Sequence, residues 1–146
     1  MKYLIFCFLF FISIIVHSQD NRYDSLKHSH GCFVTEMDGK FGLVDRDGKE
    51  LIPNAYESLK LYHGYYMTEK DGKFGLVDRD GKELIPNEYE SLKLYHGYYI
   101  TEKDGKFGLV DKDGKELIPN EYESLKLYHG KYIGMNNGKQ KMINLR

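Results

Sequence analysis

Four histidines, His30, His63, His96 and His129, stand 33 residues apart, each followed by a glycine. Imidazoles brought into line can take up zinc or copper. No acid or cysteine is fixed beside them, however, so a His-Gly pair reads more simply as a polar turn. Asp45-Arg46-Asp47-Gly48 and its copies at Asp78 and Asp111 look superficially like a calcium loop. Such a loop needs a third acid before the glycine and a later bidentate glutamate, and a basic residue between the two acids opposes a cation. A turn whose Asp side chain bonds nearby backbone N–H groups is the reading adopted. No metal and no cofactor is expected.

The tyrosines form the third candidate set. Tyr62, Tyr65 and Tyr66 cluster around one His-Gly pair, and Tyr95, Tyr98 and Tyr99 around the next. Neighbours on a strand point to opposite faces, so one ring of each Tyr-Tyr pair should face inward. Tyr66 and Tyr99 align with Phe33 and Tyr132, always aromatic, which suits the interior. Tyr65 and Tyr98 align with Cys32 and Lys131, which suits an outward place, because lysine is seldom buried. Tyr65, Tyr98, Tyr62 and Tyr95 are therefore the candidate ligand-contacting residues. Two readings fit them: an outward ladder that meets a protein or a sugar, or cross-strand packing with no ligand. No nucleophile, base and orienting group appear together, and a repeat supplies the same groups to every neighbour. A catalytic role is not expected.

What positions these residues is a repeat. Asp38, Asp71 and Asp104 each open DGKFGLVD, and the copies from Asp38 and Asp71 differ only at Ala55/Glu88 and Met67/Ile100. A fixed period of this size marks a repeat architecture. Full units run over 23–55, 56–88 and 89–121, with a partial unit over 122–146. Within a unit, YESLKLY, YYITE, KFGLV and KELI read as short strands. Asp-Gly is a strong signal for a two-residue hairpin, since both central residues need positive φ. In DRDG the glycine suits the left-handed position of a bulged hairpin. Pro53, Pro86 and Pro119 are expected to close the last strand, and Gly75 to leave room for an aromatic ring. No 3.6-residue apolar pattern persists beyond the N-terminus. One unit has too little apolar volume to fold alone, so neighbours must share a core. Polar replacements at the ends, His28 and Ser29 for Leu61 and Tyr62 and Gln140 for Phe107, suit end units.

The expected fold is all-β, with tandem antiparallel meanders stacked as a short solenoid or curved array. A small propeller-like closure is the alternative.

GKFGLVDRDGKELIPNEYESL resembles the WG repeat, a bacterial unit built around Gly-Lys-Trp-Gly, a Gly-Lys turn, Ile-Pro and Tyr-Asp/Glu. The matching positions are Gly72, Lys73, Gly75, Leu76, Asp78, Gly81, Lys82, Ile85, Pro86, Tyr89 and Glu90, with their equivalents one period away. Phe41, Phe74 and Phe107 stand at the signature tryptophan, and the chain has no tryptophan. The resemblance implies an all-β repeat array with a binding role and no catalytic residues to carry over.

Charge and the N-terminus bound the setting. Lys plus Arg number 21 and Asp plus Glu 22, interspersed, so no basic face points to nucleic acid. Residues 1–18 read as a signal peptide that forms a helix: Lys2, an apolar stretch from Tyr3 to Val16, and small residues Val16 and Ser18 before Gln19. That stretch is short for a stable membrane span. Residues 19–146 would then form the repeat domain, secreted or held in the periplasm or at the cell surface. Cys7 would leave with the leader, and Cys32 would remain partly exposed without an intramolecular partner. The expected function is a non-catalytic exported module for protein or surface interaction, with carbohydrate binding at the cell envelope as the alternative. Mass spectrometry of the native protein should find a mature N-terminus at or near Gln19. Material that retains Met1 would defeat the export reading.

Overall fold

The structure, a computed structural model, describes residues 22–145. The expected signal peptide lies outside the described residues. The rest is all-β: four antiparallel meander sheets in tandem. The first holds β1 (Ser25–Ser29), β2 (Cys32–Met37), β3 (Lys40–Val44) and β4 (Glu50–Tyr56). The second holds β5 (Ser58–Tyr62), β6 (Tyr65–Lys70), β7 (Lys73–Val77) and β8 (Glu83–Tyr89). The third holds β9 (Ser91–Tyr95), β10 (Tyr98–Lys103), β11 (Lys106–Val110) and β12 (Glu116–Tyr122). The fourth has three strands, β13 (Ser124–Tyr128), β14 (Lys131–Asn136) and β15 (Lys139–Ile143). The main contacts between sheets join each to the next in sequence. The row is open, so the propeller-like closure is not adopted.

Two hairpin turns per sheet are two-residue loops with both residues at positive φ. Asp71 and Gly72 take φ 52° and 69°, as the Asp-Gly signal requires. His63 and Gly64 do the same at 50° and 89°. The left-handed region is unusual for a side-chain residue, and histidine is among the few that adopt it. The third turn is held by its aspartate: Asp78 Oδ1 accepts from the backbone N–H of Asp80 (2.9 Å) and Lys82 (2.8 Å). The aspartate is thus occupied in its own turn, as the sequence reading had it.

The fourth strand departs from expectation. It continues through Pro86 to Tyr89 instead of ending at the proline. The strand lies on the sheet edge, where a missing N–H costs no ladder bond. Its pairing to β7 is bulged: Phe74 faces Tyr89, Leu76 faces Ile85 and Val77 faces Glu83. The tyrosine read as opening each unit therefore ends the sheet before it. Asn87 repairs the bulge. Its Nδ2 donates to the carbonyls of Thr68 (3.1 Å) and Lys73 (2.9 Å), and its Oδ1 accepts from Thr68 Oγ1 (3.2 Å). Asn54 and Asn120 make the same three bonds in the first and third sheets.

This plug also explains the glycine before each Leu-Val. A Cβ on Gly75 would sit 2.7 Å from the Ile85 carbonyl oxygen and 3.0 Å from Asn87 Cγ. The space is taken by the bulged strand and not by an aromatic ring. A ring does lie on a glycine in the fourth sheet, where Gly134 replaces the threonine and the Tyr122 ring covers it.

The core sits between sheets. Leu76, Ile85 and Tyr89 of the second sheet pack on Leu92, Tyr99 and Val110 of the third. Leu43 and Ile52 of the first meet Leu59, Tyr66 and Val77 of the second. Leu109, Ile118 and Tyr122 meet Leu125 and Tyr132 at the last junction. Each buried aliphatic side chain stabilises by about 1.5–3 kcal/mol. Glycine at the third turn lets the sheets close up: Gly81 abuts the Leu51 carbonyl and Gly114 that of Leu84. Leu26 and Met142, on the two end sheets, remain exposed, so the polar replacements there cap only part of each end face.

Asn87→Ala removes all three bonds of this plug and should destabilise the protein by roughly 2–3 kcal/mol. Chemical denaturation of the variant checks this, and an unchanged midpoint would show that the bulge does not need its plug.

Candidate functional site

In each of the first three sheets the His-Gly turn lies at the same end as the Asp-rich third turn. Arg46 Nε donates to the Gly31 carbonyl (3.3 Å) and Arg79 Nε to that of Gly64 (3.2 Å), tying the two turns together. The third copy has Lys112 instead, which pairs with Asp113 at 3.0 Å. His63, His96 and His129 each stand edge-on against the tyrosine before them. The ring centroids are 4.6 Å apart for Tyr62–His63, 4.5 Å for Tyr95–His96 and 4.2 Å for Tyr128–His129. The first unit has Ser29 at that position and lacks the pair. Among the described residues no group of three or more His, Cys, Asp or Glu is placed to hold a metal ion.

The tyrosines divide differently from the simple inward and outward scheme. Tyr66, Tyr99 and Tyr132 are buried, as expected. Tyr65 and Tyr98 are not free on the surface. They are half-buried and pack on the next core, Tyr65 between the second and third sheets and Tyr98 between the third and fourth. The reason is that both faces of an inner sheet are covered, so the face opposite Tyr66 meets another sheet and not solvent. Tyr62 packs beside Tyr65. Of the four candidates only Tyr95 is exposed, at 40%. Tyr128, not among the candidates, is more exposed still, at 61%. It lies one period beyond Tyr95, so the repeat alone could have nominated it. Cys32, at the Tyr65 position, is half-buried and free.

Burial pushes the hydroxyls of Tyr99 and Tyr132 above the usual tyrosine range, so they ionise less readily. Tyr99 is shifted up by desolvation first, then by Tyr65 and Tyr62. Tyr132 is shifted up by desolvation, then by Tyr98 and Tyr95. Tyr66 has a smaller neighbour, and its hydroxyl is 3.2 Å from Ser29 Oγ. Tyr132 is the one case, among the described residues, of a buried side-chain polar atom without a hydrogen-bond partner.

A groove of about 400 Å³ opens at this end, between the third and fourth sheets. Tyr98 and Tyr132 line it, with His96, His129, Lys131 and Leu127. The structure therefore brings one sequence candidate, Tyr98, into a concavity, while Tyr95 stays on the rim.

The opposite end is charged. Glu57 and Glu90 receive backbone N–H groups from the Asp-Gly turns, at Gly72 (3.4 Å) and Gly105 (3.3 Å). Lys40, Lys73 and Lys106 pair with Glu57, Glu90 and Glu123 at 3.4, 3.1 and 3.7 Å. These contacts hold Glu57 and Glu90 below the usual carboxylate range, led by the Gly72 N–H for Glu57 and by Lys73 for Glu90. All the pairs are solvent-exposed and contribute little to stability.

With the geometry in place, the comparison with protein families is decisive. The model of the WG containing repeat matches residues 41–74, 74–107 and 107–139. The chain belongs to the WG repeat family. Each match opens on the phenylalanine that stands for the family's tryptophan, half-buried and paired across the sheet with Tyr56, Tyr89 or Tyr122. Among curated proteins no match is found.

Tyr89 offers a test of the packing in this WG repeat array. Burial, aided by Glu88 and Glu116, pushes its hydroxyl up to about 12. An unfolded tyrosine ionises near 10. Below that pH both states are protonated and the packing is intact; as pH rises from 10 towards 12, only the unfolded state ionises and stability is lost. The melting temperature should hold to about pH 10 and then fall, with the loss from Tyr89 on the order of 2 kcal/mol. Tyr89→Phe should flatten the decline, and an equally steep fall in the variant would show that Tyr89 ionises freely.

Proposed function

We propose that the chain is a non-catalytic, exported repeat module that binds a protein partner at the cell envelope. The observation that carries this reading is the row of Tyr-His tips on one end of the array. Tyr62, Tyr95 and Tyr128 recur in register, each with an imidazole against its edge. Tyrosine presents a large, rigid surface with a polar tip and orders at low entropic cost, which is why binding surfaces favour it. Repetition adds to this, because one partner can meet several tips and linked weak contacts multiply. Each junction receives the same side chains as the last, which disfavours a single asymmetric catalytic pocket. Export rests on Lys2, the apolar stretch to Val16 and the small residues before Gln19. The finer architecture that suits the role is a short solenoid or curved array with the tips along one rim.

Carbohydrate binding is the second reading, favoured by the exposed rings of Tyr95 and Tyr128, on which a sugar face can stack. An affinity capture from envelope extract separates the two. Wild type should retain a protein, and Tyr95→Ser combined with Tyr128→Ser should lose it without a change in melting temperature. Retention of a protease-resistant glycan in its place would favour the second reading, and an undiminished capture by the double variant would remove the rim from the binding surface.

A further inference from the structure

At every inner junction the same two leucines meet. Leu43 and Leu59 share one buried cluster, Leu76 and Leu92 the next, and Leu109 and Leu125 the last. The first of each pair lies on the face that a sheet turns to its successor, and the second on the face turned to its predecessor. One period past Leu109 stands Met142, and one period before Leu59 stands Leu26. Met142 is 59% exposed and Leu26 49%. Each is half of a contact that is buried everywhere else in the molecule. Their surroundings follow the same rule. Met142 pairs across the sheet with Ile133, which stands at the Met67 position, and Tyr128 at the Tyr62 position is exposed beside them. Met67 and Tyr62 both pack on the cluster of Leu76 and Leu92.

A series of charges breaks off at the same two places. Lys40, Lys73 and Lys106 each pair with the glutamate just before the following sheet, Glu57, Glu90 and Glu123. Continued by one period, the series leaves Lys139 on the last sheet and Asp24 before the first. Asp24 is set as those glutamates are: its Oδ2 accepts the backbone N–H of Asp38, in the Asp-Gly turn of its own sheet, at 2.8 Å. Neither Lys139 nor Asp24 has an ion-pair partner among the described residues.

We infer that copies of this chain associate head to tail, with the last sheet of one copy covering the first sheet of the next. Met142, Ile133 and Tyr128 of one copy cover Leu26 and Phe33 of the other, and Lys139 reaches Asp24. The contact continues the junction that already joins each sheet to its neighbour. A second copy suits the face because it presents both the leucine and the carboxylate where the last sheet has their complements. A tail-to-tail pair would instead set Lys126 and Lys131 of both copies against one another, since they share the face of Ile133 and Tyr128. The last sheet has three strands where the others have four, and Gln140 and Lys131 replace a phenylalanine and a tyrosine on it. The contact is therefore smaller than an inner junction and the association reversible. A head-to-tail contact leaves one head and one tail free, so rows of copies grow with concentration. This self-association goes beyond the partner reading above and does not depend on it.

The test is sedimentation velocity of the native protein over a range of concentrations. The wild type should pass from monomer to larger species as concentration rises. Leu26→Glu and Met142→Glu should each raise the dissociation constant at least about tenfold, because a carboxylate would enter an apolar contact unpaired. Both residues are exposed in the single chain, so the melting temperature of the dilute monomer should not change. Mixing the two variants decides the orientation. The intact tail of the Leu26→Glu protein can meet the intact head of the Met142→Glu protein, and assembly should stop at a one-to-one pair. A wild type that stays monomeric to millimolar concentration would overturn the inference, as would variants that form no pair when mixed. Association that Leu26→Glu leaves intact would also overturn it, whether the copies then meet tail to tail or through the apolar leader.

Discussion

Leu76 and Val77 are neighbours in one strand, so they point to opposite faces, and both are buried. That pair states the constraint on which the whole molecule depends. Each inner sheet must be covered on both sides, and only another sheet of the same kind is there to cover it. The Leu, Ile and Tyr side chains of one face and the Leu, Tyr and Val side chains of the other are complementary, so a single unit sequence serves as both donor and receiver. The turns, the bulge and the glycines are arranged to let that contact form. Gly81 and Gly114 are the clearest case, since any side chain there would collide with the previous sheet.

Much of this was legible from residues. The two-residue Asp-Gly turns, the aspartate that closes on its own backbone and the inward place of Tyr66 and Tyr99 follow from local chemistry that needs no tertiary context. The errors share one cause. Proline was expected to stop β8, because removal of an N–H matters in an inner strand, but this strand lies on an edge. Gly75 was assigned to a ring, because nothing in a linear reading shows that four residues of β8 oppose two of β7. Asn87, whose three bonds make the bulge workable, carries no distinctive signal beyond its place after Ile-Pro.

The candidate site was legible in composition and misplaced in exposure. Alternation correctly separated Tyr65 from Tyr66, yet it could not say what lay beyond the second face. Once both faces are covered, solvent reaches only the sheet ends, so exposure shifts to the residues beside the His-Gly turns. That is why Tyr95 and Tyr128 are open while Tyr65 and Tyr98 are half-buried. The unpaired hydroxyl of Tyr132 is beyond any sequence reading, since it depends on which residue the neighbouring sheet presents.

Contacts that reach only the adjacent sheet have an evolutionary corollary. Copies that are nearly identical invite unequal recombination, which adds or deletes whole periods. In a globular core such an event would be ruinous. Here an inserted unit would find the same surfaces above and below it, and the array would lengthen by one sheet. The number of units can therefore change the length of the array without changing how any one junction is packed.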